Sequence, residues 1–124
     1  MTVTEITQIG KHAINDENIL VLFGESITPD LLDVSIVQKK INEELVELKK
    51  GGQLIFGDQS YQINGVGPLA NENLNEIGHA TVFFQEEVGA IPNGIYVTPE
   101  KLPKLEVGMK SVISRSVSEW IKRN

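Results

Sequence analysis

The run QLIFGDQSYQING, Gln53 to Gly65, constrains the fold more than any other stretch of the chain. Two β-rich segments meet across Gly57-Asp58-Gln59, residue types that reverse an extended backbone, so the run reads as a hairpin. The same short-strand grammar recurs on both sides. Val3, Glu5, Thr7 and Ile9 alternate with Thr4, Ile6 and Gln8 in a β-branched segment that Gly10 closes. Ile19 to Phe23 is a continuous apolar run of strand length, set off by the turn NDEN and by Gly24. DVSIVQ, His79 to Gln85, Ile95 to Val97 and Met109 to Ser114 read as further strands. GAIPNG is a turn, and TPEKLPKLEVG is a proline-punctuated connection running along an edge. Many short strands with turn signals between them predict an all-β protein: a closed or partly closed barrel of short strands with one or two short helices.

Helical signals are brief. Asp30-Leu31-Leu32 fits a single turn. Asn71 to Ile77 fits a short helix, with Asn71 as N-cap, Glu72 at the positive end of the dipole and Gly78 in the left-handed position after the last turn. Ile41 to Lys50 is ambiguous. Ile41, Leu45 and Leu48 fall on one helical stripe ending at Lys49, Lys50 and Gly51, which favours a short helix; a paired strand through EELVEL would also bury Leu45. SVSEWIKRN reads as a frayed strand or a terminal helical turn. No internal repeat, linker or low-complexity segment is evident, and 124 residues suit one domain, 1–124, with a single hydrophobic core.

Composition removes several classes of function. The formal charge is -6, and the basic pairs Lys39-Lys40, Lys49-Lys50 and Lys122-Arg123 read as solvated surface, so no nucleic-acid partner is expected. The chain has no cysteine, which excludes disulfides, thiolate metal sites and a cysteine nucleophile. No stretch nears the ~18 apolar residues that span a bilayer, and MTVTEITQIG alternates instead of forming an apolar block. The expectation is a cytoplasmic protein without direct membrane insertion or a cofactor. Exposed edges on a small β domain make a homodimer reasonable.

Two motifs compete for chemistry. Gly65, Gly67 and Ala70 match the glycine spacing of a dinucleotide loop, with Glu86 and Glu87 at a fitting distance. The helix that follows is barely two turns and no parallel β/α alternation surrounds it, so the glycines are read as a turn out of the sheet. His79, directly after Gly78 and at the mouth of an apolar run, is the candidate catalytic residue, because a neutral imidazole offers a nucleophilic nitrogen near pH 7. A core-facing, hydrogen-bonded histidine is the competing reading. His12 lies in the turn GKHAIN and reads as exposed, and two histidines so far apart make a poor metal site. Asp30, Asp33, Glu43, Glu44 and Glu47 read as solvated carboxylates, and no serine has a nucleophile-elbow context.

With these elements placed, TEITQIG, LVLFGES…PDL, GQLIFGDQSYQINGVG and above all VGPLANENLNEIGHATVFF resemble the glucitol/sorbitol-specific enzyme IIA component of the bacterial phosphoenolpyruvate-dependent sugar phosphotransferase system. The resemblance covers nearly the whole chain. It implies a cytosolic phosphocarrier with a barrel-like fold, taking a phosphoryl group from a phosphohistidine carrier protein onto a histidine. The recipient is a sugar-specific membrane component. In that family the acceptor histidine lies in the strand after the PDL loop. Matched forward from Asp30, its position falls on Gln38, followed by Lys39 and Lys40. An amide nitrogen is not nucleophilic, and a lysine near pKa ~10.4 is protonated. Three readings follow: a working carrier that uses His79, which the resemblance also matches to a family histidine; a phosphorylation-incompetent relative acting as a binding or regulatory module; or a fold re-employed to hold a small anion beside Lys39 and Lys40.

Overall fold

The computed structural model describes residues 1–116, so the expectation for the segment after Ser116 falls outside the described residues. Eight strands form a closed barrel: β1 Thr2–Ile9, β2 Ile19–Phe23, β3 Ser35–Lys40, β4 Gln53–Phe56, β5 Gln59–Val66, β6 Ala80–Phe84, β7 Gly94–Thr98 and β8 Lys110–Ser114. Two short helices interrupt them, α1 Pro29–Leu32 and α2 Ala70–Ile77. Around the barrel the order is β1-β3-β2-β6-β7-β5-β4-β8. The all-β expectation holds, and the hairpin forms as read, with Leu54 opposite Tyr61. Because the ring closes, its strands present no free sheet edge, and the edge-based reason for expecting a dimer disappears.

Period-2 alternation fills the barrel. Leu20 and Leu22 on β2, Ala80, Val82 and Phe84 on β6, and Tyr61 and Ile63 on β5 all point into one apolar cluster. On β1 the register with β3 slips between Ile6 and Gln8. Three residues apart, Ile6 and Ile9 would face opposite sides of a regular strand. The bulge lets Ile6 be buried while Ile9 packs against the same cluster.

An internal symmetry emerges that the sequence conceals. Advancing every strand by four maps the barrel onto itself: β1-β3 onto β5-β7, β2-β3 onto β6-β7, and β4-β5 onto β8-β1. The pairs β2-β3 and β6-β7 are both parallel. The bulge on β1 has its counterpart on β5, between Ile63 and Gly65. The related segments are EITQIG and QINGVG, which share inward apolar residues and a closing glycine and little else. That glycine matters. The amide of Gly10 donates to Ser35 O and that of Gly67 to Gly94 O, both at 2.8 Å. A Cβ on Gly10 would lie 2.2 Å from Leu32 O, and one on Gly67 2.3 Å from Pro92 O. Each glycine lets the backbone pass against the loop that feeds a parallel strand.

Ile41 to Lys50 is neither helix nor strand. It runs extended and unassigned: of the helical stripe only Leu48 is buried, while Ile41 is 41% and Leu45 76% exposed, and Val46, off the stripe, is buried instead. Its backbone is held by side chains of α2. Asn75 accepts from Val46 N at 2.7 Å and donates to Val46 O at 3.0 Å. One helical turn earlier, Asn71 accepts from Leu48 N at 2.6 Å and donates to Leu48 O at 3.1 Å. Two asparagines four apart on one helix face thus stand in for a neighbouring strand. Asn71 is spent on this and does not cap α2, whose N-cap is Leu69 with no side-chain cap bond. Gly78 does take the left-handed stop position, at φ 70.

Candidate functional site

At one mouth of the barrel lies a cavity of about 250 Å³. Gln38 of β3 stands in its wall, opposite Ile6 in the pairing with β1. Its Nε2 donates to Ser111 Oγ at 2.7 Å, and Ser111 Oγ shares a short hydrogen bond with Thr4 Oγ1. Ser111 is buried and Gln38 half-buried. Val46, Leu74 and Ile113 supply apolar lining, while Glu25, Lys39, Lys40 and Glu76 bring both signs of charge to the opening. The extended segment and the loop after β2 therefore meet α2 above an amide and two hydroxyls.

His79 stands immediately before β6, one residue beyond Gly78, which lines the cavity. Leu22 and Ala80 point into the barrel, so by alternation Phe23 and His79 lie on its outer side, stacked at 4.2 Å between ring centroids. His79 Nδ1 is 3.1 Å from Leu22 O. A carbonyl can only accept, so Nδ1 carries the proton and Nε2 holds the lone pair. Asn93 Nδ2 donates to that lone pair at 2.8 Å. The ring is half-buried, in one tautomer, with both nitrogens engaged.

Other candidates scatter. His12 is exposed as expected and pairs with Asp33 at 2.7 Å. Glu44 binds the N-terminal ammonium at 2.8 Å, and Glu47 pairs with Arg115 at 3.4 Å. Asp30 lies in the first turn of α1, and Glu43 is exposed. Among the described residues no group of three or more His, Cys, Asp or Glu side chains could hold a metal ion. The glycine loop forms no parallel crossover, because β5 runs antiparallel to β7 and β6 parallel to it, so the strands on either side of the loop oppose each other. Gly65 packs instead under Val88, whose Cγ1 is 2.5 Å from where a Cβ would stand.

The family model described as the PTS system glucitol/sorbitol-specific IIA component matches residues 1–112. The chain belongs to this IIA family. The glucitol/sorbitol-specific IIA component of Escherichia coli K12 is 34% identical over 83 residues, 65% of this chain and 67% of the relative. That of Shigella flexneri is 32% identical over the same length. A crystal structure of a PTS IIA component from Enterococcus faecalis V583 superposes with a TM-score of 0.85 at 38% identity, covering 90% of this chain and 98% of the other. A phosphocarrier role fits the family. No helix among the described residues is long and apolar enough to cross a membrane.

For this IIA-family chain, Gln38 and His79 sit at the same end of the barrel but face different ways. Val37, next to Gln38, pairs with Phe23, the ring on which His79 stacks. No histidine lines the cavity itself. Three site residues escaped sequence reasoning. Asn93 was hidden in a turn, and nothing local marks its reach to His79. Thr4 and Ser111 could have been flagged as polar residues sharing the inward parity of Ile6 and Ile113, but only the pairing of β1 with β8 makes them neighbours.

Proposed function

We propose that this chain is a phosphocarrier of the phosphoenolpyruvate-dependent phosphotransferase system. In this reading His79 takes a phosphoryl group from a phosphohistidine carrier protein in the cytoplasm and passes it to a sugar-specific membrane component. The observation that carries the reading is the bond from His79 Nδ1 to Leu22 O, which reserves the Nε2 lone pair for attack. In the transfer, Nε2 attacks phosphorus in line, the donor's P–N bond breaks, and its electron pair returns to the donor imidazole. Asn93 must rotate off Nε2, after which its N–H groups can meet a phosphoryl oxygen. The Leu22 carbonyl and the face of Phe23 then stabilise the positive charge that the phosphorylated ring acquires.

A second reading is favoured by Gln38. Its amide occupies the position to which the resemblance assigns the acceptor and is tied to Ser111. In this reading the chain binds the same partners without accepting a phosphoryl group, as a regulatory module. One assay separates the two. The chain is incubated with phosphoenolpyruvate and the two general phosphotransferase proteins, and acid-labile phosphate is counted beside His79→Asn. The carrier reading expects one label per chain, lost in the variant while the circular dichroism is unchanged. No label on the parent chain, together with measurable binding to the phosphohistidine carrier protein, establishes the second reading. Label that persists in the variant removes His79 from the relay.

A further inference from the structure

We propose that His12, oriented by Asp33, is a nucleophile for activated acyl groups. It takes one from a small thioester or acyl phosphate and passes it to Lys11. His12 Nδ1 and Asp33 Oδ2 are 2.7 Å apart. A carboxylate can only accept, so in the neutral ring Nδ1 carries the proton and Nε2 the lone pair. That nitrogen has no partner among the described residues, and the His12 side chain is 67% exposed. His79 is half-buried, with Asn93 on its lone pair. The two imidazoles also stand at opposite ends of the barrel. His12 lies just past β1, where Gly10 N donates to Ser35 O at the start of β3. His79 stacks on Phe23 at the far end of β2, which runs parallel to β3. The site is therefore separate from the relay proposed for His79.

The fold has no need of these side chains. Gly10-Lys11-His12-Ala13 has Gly67-Pro68-Leu69-Ala70 as its counterpart in the other half. His12 N donates to Asp33 O as Leu69 N does to Pro92 O, both at 2.8 Å. Ala13 N returns to Gly10 O at 3.1 Å, as Ala70 N does to Gly67 O at 3.2 Å. Lys11, His12 and Asp33 thus stand where the other half has Pro68, Leu69 and Pro92, on a backbone already held, and an exposed ion pair adds little to stability. What the pair supplies is a preset imidazole. Asp33 fixes the tautomer and offsets the positive charge that the ring takes on when Nε2 is acylated. A groove of about 300 Å³ opens beside it, with Lys11 and Asp33 in its wall and Ile9, Pro29 and Leu32 as apolar lining. Donors that carry phosphate are drawn there by the Lys11 ammonium. In the first step Nε2 attacks the carbonyl carbon, the bond to sulfur or to phosphate oxygen breaks, and its electron pair leaves with the thiolate or phosphate. In the second, the amine form of Lys11 attacks the same carbon. The C–Nε2 bond breaks, its electrons return to the imidazole, and the proton on the new amide nitrogen passes to water. Neighbouring Cα atoms are ~3.8 Å apart, within the reach of a lysine side chain, so this second step is intramolecular.

The test contains no phosphotransferase protein, so its failure and a failure of the His79 relay are separate results. Purified chain is incubated with acetyl phosphate in one arm and acetyl-coenzyme A in the other, and acetylation of each lysine is followed by peptide mass spectrometry. The exposed Lys49, Lys50, Lys101 and Lys104 serve as references within the same chain. Lys11 is expected to react at least about tenfold faster than these with one donor or both, and the donor that works names the source. His12→Asn should bring Lys11 down to the reference rate. Asp33→Ala should slow it about threefold, as for one lost hydrogen bond. Circular dichroism checks that each variant is folded, and if one is not, the other decides. Lys11 reacting at the reference rate with both donors overturns the proposal. So does a folded His12→Asn or Asp33→Ala in which Lys11 keeps the rate of the parent chain.

Discussion

The two halves of this barrel share topology and bulges, yet one keeps Thr4, Gln38 and Ser111 where the other has Tyr61, Val97 and Leu54. In the second half, Tyr61 makes edge contacts with Phe56 at 6.2 Å and Phe84 at 4.9 Å, and its hydroxyl donates to Lys101 O at 2.8 Å. In the first, hydrogen bonds among side chains replace that packing and a cavity remains. The contrast separates two jobs. The apolar half supplies the burial that makes so small a barrel stable, and the polar half gives up some of that burial for an accessible site.

Exchanging residues between the halves is the severest way to probe this division. Val97→Gln would push an amide into a fully buried position with no partner, at an expected cost of ~3–5 kcal/mol from lost packing and an unsatisfied polar group. The reverse exchange, Gln38→Val, leaves Ser111 still bonded to Thr4 and should change stability by less than ~1 kcal/mol. Urea denaturation of both variants measures the difference, and equal costs would dissolve the distinction between the halves.

The next effect in size concerns the cover of the polar half. Asn75→Ala removes both bonds to the Val46 backbone, and Asn71→Ala both bonds to Leu48. Each should cost ~1–2 kcal/mol, two hydrogen bonds at their usual net worth. Amide hydrogen exchange should speed up at Val46 and Leu48 well before it does in β4 or β5. Uniform loss of protection would mean that the segment is integral to the barrel and not a separately held cover.

The smallest effect is a pH dependence confined to the apolar half. Burial raises the pKa of Tyr61 above its ordinary value of 10.0. The unfolded chain therefore ionises first, so the stability due to the neutral phenol is fully present below about pH 10 and is lost as pH rises through the folded pKa. Comparing Tyr61→Phe with the parent from pH 8 upward should show curves that converge above pH 10. Thr4, the counterpart in the other half, has no such titration to lose.

What could be read in the chain was whatever depends on neighbours in sequence. Alternation marked β1, a short continuous apolar run β2, and turn residues the β4-β5 hairpin, since side-chain parity, run length and turn chemistry are local properties. Gly78 announced its stop because a positive φ is costly for other residues. Ile41 to Lys50 misled because its apolar residues fit a helical stripe, while the deciding partners, Asn71 and Asn75, lie more than twenty positions away. The site was legible only as a gap at Gln38 and an imidazole at His79.

Fold class and family, then, were already determined by the sequence, because strand period, turn residues and a dense signature segment are carried by contiguous residues. Tertiary structure alone decided the symmetry of the barrel, the tautomer of His79 and the joining of Thr4 and Gln38 to Ser111. Each depends on strand pairings and side-chain contacts between residues far apart in the chain, and hydrogen bonds at those separations leave no periodic trace to read.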